Sequence, residues 1–566
     1  MNTKSQIDGN LGIHGQEKMR DGGPKWSYFR KDVVDYETEL LYGSNGPWPT
    51  PSPGRPLSEF AEVCNLPQAE HKDWKKNVSR MYMWIIATRF IPGLWWAYVK
   101  SKGQYDEFND EHFNSHITNG MYSKFLCELD EGDASLFEER IPEIKTKPEL
   151  YLKMDFSGME WIVHKTYPDT YVAPTIALFK ILPNSNGNNY PDYQAVAIHI
   201  YQCDEEFKKI DDTADTLVPD YVDPQLSKED KNRWELAKYY VLQGAVHRIN
   251  MTEHGLLHFP HDAVNAITKS ILPTQHPLFR LFHPHLRLSL AVNNAVLEGT
   301  YSLLSRTNWV VYSPFAAEGK YTRRLIPDGY VGRPGKPNAF PVYRFDPEPK
   351  YPNTSYGVYL EKNYKIFLKF VTSVIEETLP AEYFSDDNSG VRRNWELIAL
   401  WGESIAEWVP GFPMREDLLE ENAETQRVSC NRELLIKTIA KMIWTLSVAH
   451  AGDHFGFGQA GPTRNVFRIH VKPPLKDVVV EDSFFKKLVK PWDLFQSYLT
   501  NELFYKPHNT VDLVDVTYDF KNHPNELKIQ GFRDLLVKEL KECDIEEHQR
   551  DEKLPPLGDV SSSIQY

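Results

Sequence analysis

The spacing of hydrophobic positions along the chain predicts mainly helices, with one small sheet in the first half. Between Tyr171 and Tyr201, apolar and polar residues alternate in runs on either side of a turn-rich segment, 184–189, which is typical of antiparallel strands. After that region, apolar residues recur every three or four positions, which is the period of an amphipathic helix. The pattern therefore predicts a mainly α fold with a small antiparallel β-sheet.

Two of the predicted helices carry histidines on the face that should be buried. The first runs from Trp234 to about His258, with His254 one turn before its end. The second begins near residue 431, and its apolar stripe continues in phase to His450 and His454. Histidines four positions apart project side by side from a helix. If the two helices pack face to face, we expect four imidazoles to meet at one point.

Four imidazoles at one point are typical of a metal site. A single histidine on a core-facing stripe is more often a packing residue, but two matched pairs favour ligation. Imidazole nitrogen suits iron, manganese, zinc and copper. The sequence has neither the His-Glu-x-x-His motif of zinc proteases nor the Glu-x-x-His pair of carboxylate-bridged di-iron bundles. One mononuclear, histidine-rich site is therefore predicted.

Composition and charge exclude several classes of protein. Hydrophobic residues make up 41% of the 566 positions and aromatic residues 13%, which is typical of a folded globular protein. The net charge of −15 argues against a protein that coats nucleic acid. The five cysteines are far apart and form no Cys-x-x-Cys pair, and the N-terminus has no apolar signal segment. We therefore expect a cytoplasmic protein that binds no nucleic acid.

The longest apolar stretch runs from Met81 to Val99, and it allows two interpretations. Arg89 and the Pro92-Gly93 pair interrupt the stretch before it reaches the length of a membrane span. Its aromatic residues can be buried in the protein, which we favour, or they can touch a membrane surface transiently. These aromatic residues are Trp84, Trp95, Trp96 and Tyr98.

Several segments resemble the metal-binding core of the lipoxygenases. The motif WELAKYYV at 234–241, then His254 and His258, and then LFHPHLR at 281–287 follow the order and spacing of that family. The segment ELIALWGE at 396–403 resembles the helix before the family's second ligand helix. The segment MIWTLSVAHAGDHFG at 442–456 resembles the second ligand helix itself.

The resemblance implies a large single helical catalytic domain over 57–566. It would be preceded by a polar, Pro/Gly-rich extension over 1–56, without the N-terminal lipid-binding β-sandwich of many family members. The implied activity is that of a monomeric non-haem metal dioxygenase of lipid oxidation and oxylipin biosynthesis. One iron per chain, or manganese, would serve to insert O2 into the cis,cis-1,4-diene of a polyunsaturated fatty acid and give a hydroperoxide. The alternatives are a hydroperoxide isomerase, an oxygenase of another diene, and a catalytically silent lipid-binding relative.

Carried over residue by residue, the resemblance implies five metal ligands and no catalytic side chain beyond a hydroxide held by the metal. The ligands are His254, His258, His450, His454 and the terminal carboxylate of Tyr566. The family's first pair usually has four intervening residues and a π-type widening, whereas three intervene here, so we expect a plainer α-helix. The family typically ends in isoleucine, and a frayed polar tail is the alternative for Tyr566.

Four further residues are candidates with weaker support. Arg464 and Arg287 are basic groups that could meet a fatty-acid carboxylate, or they could be structural charges. Asp453 lies between two implied ligands and could orient an imidazole, or it could point outward into solvent. His261 is a reserve ligand in case His258 points away.

Overall fold

The computed structural model describes most of the chain after residue 73. The predicted extension over 1–56 lies outside the described residues except for two short strands, so the domain boundary at 57 stays a prediction. The described residues are 27–28, 40–42, 63–65, 74–101, 108–162, 167–184, 190–203, 209–258, 260–273, 275–292, 343–386, 390–406, 409–503, 510–548, 551 and 553–566.

Helices dominate the described residues, as the sequence predicts. Short 3₁₀ turns also occur, and three π turns lie at Lys75–Ser79, Ile249–Glu253 and Thr445–Ala449. The α-helices are α1 (Arg80–Ser101), α2 (Asp110–Asn119), α3 (Asp133–Phe137), α4 (Lys228–Arg248), α5 (His254–His258), α6 (Pro260–Ile271), α7 (Pro277–Phe282), α8 (Ser355–Thr378), α9 (Gly390–Ala406), α10 (Arg415–Leu418), α11 (Arg432–Trp444), α12 (His450–Ala460), α13 (Pro491–Leu503) and α14 (Glu526–His548).

The described strands form three small antiparallel sheets. The predicted pair of strands corresponds to β5 and β6, and the sheet is wider than the sequence suggested because β4 and β7 extend it on both sides in the order β4-β5-β6-β7. The strands are β1 (Ser27–Tyr28), β2 (Leu40–Tyr42), β3 (Val63–Asn65), β4 (Tyr151–Asp155), β5 (Thr175–Leu182), β6 (Asp192–Cys203), β7 (Lys209–Leu217), β8 (Glu382–Phe384), β9 (Leu419–Asn422) and β10 (Arg427–Cys430).

The two histidine-bearing helices start at residues that satisfy their first backbone donors. Ser227 precedes α4 and accepts a hydrogen bond from the backbone N–H of Asp230. Asn431 precedes α11 in the same way and accepts one from Leu434. Such side chains replace the partners that the first turn of a helix lacks. The predicted start of the second helix near residue 431 is therefore confirmed.

Each of these helices contains a π turn directly before the first histidine of its pair. The turn Ile249–Glu253 joins α4 to α5, which begins at His254, and Thr445–Ala449 joins α11 to α12, which begins at His450. The residues between His254 and His258 are α-helical, as expected from their short spacing. A π turn is rare, and it occurs mostly at functional sites in proteins.

One large core surrounds both helices. Every residue of α4 from Leu236 to His247 is buried, and so are eight of the thirteen residues of α11. Helix α8 packs against α11, where the indole N–H of Trp444 donates to the carbonyl of Leu360. Among the described residues, the stretch Arg432–Ala460 is long and apolar enough to cross a membrane, but 83% of its apolar 18-residue segment is buried inside the protein. Core packing accounts for its composition.

Helix α1 contradicts one expectation from the sequence. The aromatic residues of this segment were expected to be buried, but Trp84, Trp95 and Tyr98 are 63%, 69% and 52% exposed. Trp96 alone of the four is half-buried, and its ring lies 5.4 Å from that of Tyr498 on α13. The prediction was wrong because α1 packs on α13 through Phe90, Gly93 and Trp96, and this contact leaves the other three aromatic residues on the outside.

Candidate metal centre

Four histidine side chains converge in the core, two from each helix. The imidazole nitrogens of His254, His258, His450 and His454 all lie within 4.8 Å of one another. Neighbouring ring centroids are 4.4 to 4.8 Å apart around the group. All four are buried or nearly so, with His450 fully excluded from solvent. The expectation of four imidazoles aimed at one interior point agrees with this geometry.

The chemistry of the group fits a transition metal. Nε2 of His258 lies 3.0 Å from Nε2 of His254 and 3.1 Å from Nε2 of His450. A neutral imidazole nitrogen carries either one hydrogen or one lone pair, so Nε2 of His258 cannot satisfy both neighbours with hydrogen bonds. Two nitrogens bound to one metal at about 2.1 Å and at right angles would lie about 3.0 Å apart. A shared cation is therefore the arrangement that satisfies all three nitrogens.

Burial keeps His254 and His450 in the neutral form, which is the form that binds a metal. Burial, and then the nearby charge of Lys124, lowers the pKa of His254 to about 3. Burial lowers the pKa of His450 well below its ordinary value, and the other histidines of the group act in the same direction. Protonated imidazoles would compete with a metal for the same lone pairs. The environment therefore prepares both residues as ligands at neutral pH.

Asp453 is buried, so the outward, solvated orientation considered from the sequence is wrong. Its side chain is 1% exposed, and Oδ2 lies 3.7 Å from Nδ1 of His254, a histidine of the opposite helix. Lys124 donates to both carboxylate oxygens, at 2.8 and 3.0 Å. The hydroxyl of Tyr356 lies 3.4 Å from Oδ1. A carboxylate behind a histidine ligand is a common way to fix the ring.

Lys124 and Tyr356 could not be assigned from the sequence. Lys124 lies in the 3₁₀ turn Met121–Phe125, 329 positions before Asp453, and no local pattern links the two. Tyr356 lies at the start of α8 and passes so close to α12 that a Cβ on Gly452 would lie 2.4 Å from its hydroxyl. The glycine next to Asp453 was the one local signal of this approach.

The segment that ends at Tyr566 is buried beside the histidines. The frayed tail considered from the sequence is therefore wrong for residues 561–566, which are all at most 4% exposed. The Tyr566 ring lies edge-on to His454 and His450, with centroids 4.6 and 5.4 Å away. The Tyr566 ring therefore lies against two of the four histidines. Ligation by the carboxylate of Tyr566 stays a prediction.

Arg287 and His285 hold this segment in place. The side chain of His285 lies 2.7 Å from the Ser562 carbonyl through Nδ1. Arg287 donates to the side-chain oxygen of Gln565 at 3.3 Å, and its own carbonyl accepts from the Ser563 hydroxyl at 2.8 Å. These contacts give Arg287 a structural task, whereas its suggested contact with a substrate carboxylate stays a prediction.

The other two candidates have side-chain contacts outside the group of four histidines. Arg464 stacks its guanidinium on the ring of Phe108 at 3.6 Å, which is a cation–π contact, and its substrate role also stays a prediction. His261 is buried, and its Nδ1 lies 2.8 Å from the Leu257 carbonyl. Because His258 points into the group, the reserve ligand is not needed.

Comparisons with known proteins agree with the fold. The curated seed linoleate 9S-lipoxygenase-3 of Pisum sativum is 24% identical over 259 residues, which are 41% of this chain and 26% of that protein. The structure of a calcium-dependent 11R-lipoxygenase matches with a TM-score of 0.61 and 16% identity, over 81% of this chain and 66% of the other. A coral 8R-lipoxygenase matches with a TM-score of 0.63 and 15% identity, over 100% and 81%.

A third similar structure is that of a lipoxygenase variant in complex with arachidonate, with a TM-score of 0.63 and 15% identity over 100% of this chain and 81% of the other. No family model matches the sequence. The match to the curated relative spans about a quarter of that protein's length. At these identities the comparisons show the fold, and the predicted resemblance to lipoxygenases is confirmed at that level.

Proposed function

We propose that this chain, which has the fold of the lipoxygenase catalytic domain, is a non-haem iron or manganese dioxygenase of polyunsaturated fatty acids. The product would be a hydroperoxide in which O2 has been added to a cis,cis-1,4-diene. The observation that carries the proposal is the set of three Nε2 atoms at 3.0 and 3.1 Å in the core, because a shared redox metal satisfies all of them.

The residues that would hold the metal are the four histidines, and we add the carboxylate of Tyr566 as a fifth ligand. When bound, such a metal supplies the one-electron chemistry that removes a hydrogen atom from the doubly allylic methylene of the substrate. The chain's own part is to keep His254 and His450 neutral and to fix the orientation of the rings. The carboxylate of Asp453 lies near Nδ1 of His254 and fixes the orientation of that ring. The buried ring of Tyr566 packs on His450 and His454 and excludes water from them.

The substrate class rests on the relatives. The curated relative is named as a linoleate lipoxygenase, and one of the similar structures contains arachidonate. Both fatty acids contain the 1,4-diene whose central C–H bond is weak, because the radical is delocalised over five carbons. An apolar channel that holds such a chain against the metal is part of the proposal.

The proposal is tested by incubating the purified protein with linoleate in air while following the absorbance of conjugated dienes and measuring bound iron and manganese. We expect diene formation by protein that carries about one metal per chain. Metal-loaded protein that consumes only an added fatty-acid hydroperoxide would instead establish the isomerase alternative. Protein that binds neither metal would contradict the proposed centre and leave the lipid-binding alternative.

Two variants separate ligation from general damage to the core. We expect His450→Ala to lose both the metal and activity. His261→Gln is the matched control, since His261 is also buried and lies three positions after His258 but points to the Leu257 carbonyl. We expect it to keep the metal. Equal metal loss in both variants would show that packing, and not ligation, explains the result.

The fifth ligand has its own test. We expect removal of Tyr566 to weaken metal binding, since the carboxylate would move away from the group. Tyr566→Phe, which keeps the carboxylate and the ring, should bind the metal as the unaltered protein does. Full metal binding and activity in the deletion variant would remove the carboxylate from the proposed ligand set.

A further inference from the structure

Helix α1 has an exposed face of large apolar side chains. At about 100° per residue, Trp84, Ile91, Trp95 and Tyr98 fall within a sector of about 60° on the helix circumference. Ile91 is the most exposed of the four, at 77%, and the other three are more than half exposed. We call these four residues the aromatic face. It extends over the fifteen positions from Trp84 to Tyr98, which is about 21 Å along the helix.

The opposite side of α1 is firmly packed on α13, so the aromatic face is held outward by the fold. A Cβ on Gly93 would lie 2.7 Å from the ring of Tyr498, which shows how closely the two helices approach. The rings of Phe90 and Phe495 meet edge to face at 5.0 Å in the same contact. Rotating α1 to bury its tryptophans would break this packing.

The charge of the same segment is opposite to that of the whole protein. Residues 74–101 contain five basic residues and no Asp or Glu, in a chain with a net charge of −15. Lys75, Lys76 and Arg80 are exposed at the start of the segment, while Arg89 pairs with Glu502 at 3.3 Å. By helical position, Arg80 lies within about 40° of Trp84. Arg80 therefore borders the aromatic face, and the exposed Lys75 and Lys76 lie in the turn that precedes the helix.

We infer that the aromatic face and its basic border form a docking surface for an anionic lipid membrane. Tryptophan and tyrosine are favoured where an apolar layer meets water, because one part of each ring system is apolar and another is polar. Exposed lysine and arginine beside them are attracted to the phosphates of anionic lipids. The helix would lie in the plane of the surface, because Pro92, Arg89 and its packing on α13 exclude a span.

The surface is tested by flotation of the full protein with vesicles, which requires neither bound metal nor substrate. One set of vesicles contains phosphatidylcholine alone, and the other has about one third phosphatidylserine. We expect the protein to float with the anionic vesicles at low salt, and binding to fall at about 0.5 M salt. Failure to bind anionic vesicles at low salt would overturn the inference.

The variant Trp84→Ser/Trp95→Ser should lower the partition coefficient at least about tenfold, since each indole contributes buried apolar area. Leu527→Ser/Ile545→Ser is the matched control, because these side chains are 89% and 57% exposed on α14, where acidic residues follow Ile545. We expect the control to bind within about twofold of the unaltered protein. An equal loss in both would show that apolar exposure anywhere drives binding, and it would overturn the assignment of α1.

A second copy of the chain is the other occupant that an apolar face can take. Sedimentation without lipid distinguishes it. A monomer that remains monomeric in the tryptophan variant supports the membrane surface. A dimer that the tryptophan variant abolishes, while flotation is unchanged, would assign the face to self-association and overturn the inference.

Discussion

Replacing Lys124 by methionine tests the buried ion pair beside the candidate metal centre. Lys124 is 12% exposed and Asp453 is 1% exposed, and the two groups meet at 2.8 and 3.0 Å. Methionine has a similar length but no charge, so Lys124→Met leaves the carboxylate buried with the weak contact to Tyr356 and the 3.7 Å approach to His254. The variant isolates the charge because the side-chain volume changes little.

The expected cost follows from the burial of the carboxylate. Removing one partner of a buried ion pair typically costs about 3–5 kcal/mol, because the remaining charge has lost its solvation without compensation. The slight exposure of Lys124 lets some water replace it, so we place the loss near the lower end, at about 3 kcal/mol. The double variant Lys124→Met/Asp453→Asn removes both charges, and we expect it to recover at least about 2 kcal/mol of that loss.

The assay is urea unfolding of chelator-treated protein, so that metal binding does not contribute to the free energy of unfolding. The unaltered protein, both single variants and the double variant form one thermodynamic cycle. The ion pair would not stabilise the site if the free energy of unfolding of Lys124→Met lay within about 0.5 kcal/mol of that of the unaltered protein. The same would follow if the double variant were no more stable than Lys124→Met. Either result would refute the reasoning.

Two further predictions concern glycine and histidine. Gly452→Ala should destabilise the protein by about 1–3 kcal/mol, because its Cβ would lie 2.4 Å from the hydroxyl of Tyr356. Gly531→Ala on α14 should stabilise the protein by about 0.5–1 kcal/mol, because nothing lies within 4 Å of the new Cβ. Urea unfolding measures the free energy of unfolding of both variants, and equal effects would contradict the prediction. Burial lowers the pKa of His276 to about 4 in the folded protein. As the pH falls below 6.5, this histidine is therefore protonated in the unfolded chain before it is protonated in the folded one. The free energy of unfolding consequently decreases between pH 6.5 and pH 4. In His276→Asn, which can keep the hydrogen bond from the Leu278 N–H, the loss between pH 7 and 5 should be smaller by about 2 kcal/mol, and an unchanged pH profile would contradict this.

The periodicity of the chain predicted the parts of the site that lie on one element. Histidines four positions apart must share a helix face, and the apolar stripe before His450 showed that this face is buried. The start of α11 after Asn431 followed from local hydrogen bonding in the same way. These features depend on neighbours within one or two turns, which is the range that a sequence pattern describes.

Features that depend on distant contacts were missed or wrongly predicted. Asp453 is buried because Lys124, far away in the sequence, neutralises it. Trp84 is exposed because Gly93 gives α1 a closer contact with α13 than any large side chain would. In both cases the partner decides the outcome, and spacing within the segment does not identify the partner.

The two π turns are places where the chain can become shorter by one residue without losing the arrangement of the histidines. A π turn fits one more residue into a helix than the α form would, whereas each α-helical residue advances the helix by about 100°. Because Ile249–Glu253 and Thr445–Ala449 directly precede His254 and His450, loss of one residue in either turn would return it to the α form and rotate the following histidine pair little. Loss of one residue from the α-helical part of α4 or α11 would rotate the same pair by about 100° relative to the start of the helix, so deletions are constrained there and accommodated at the π turns.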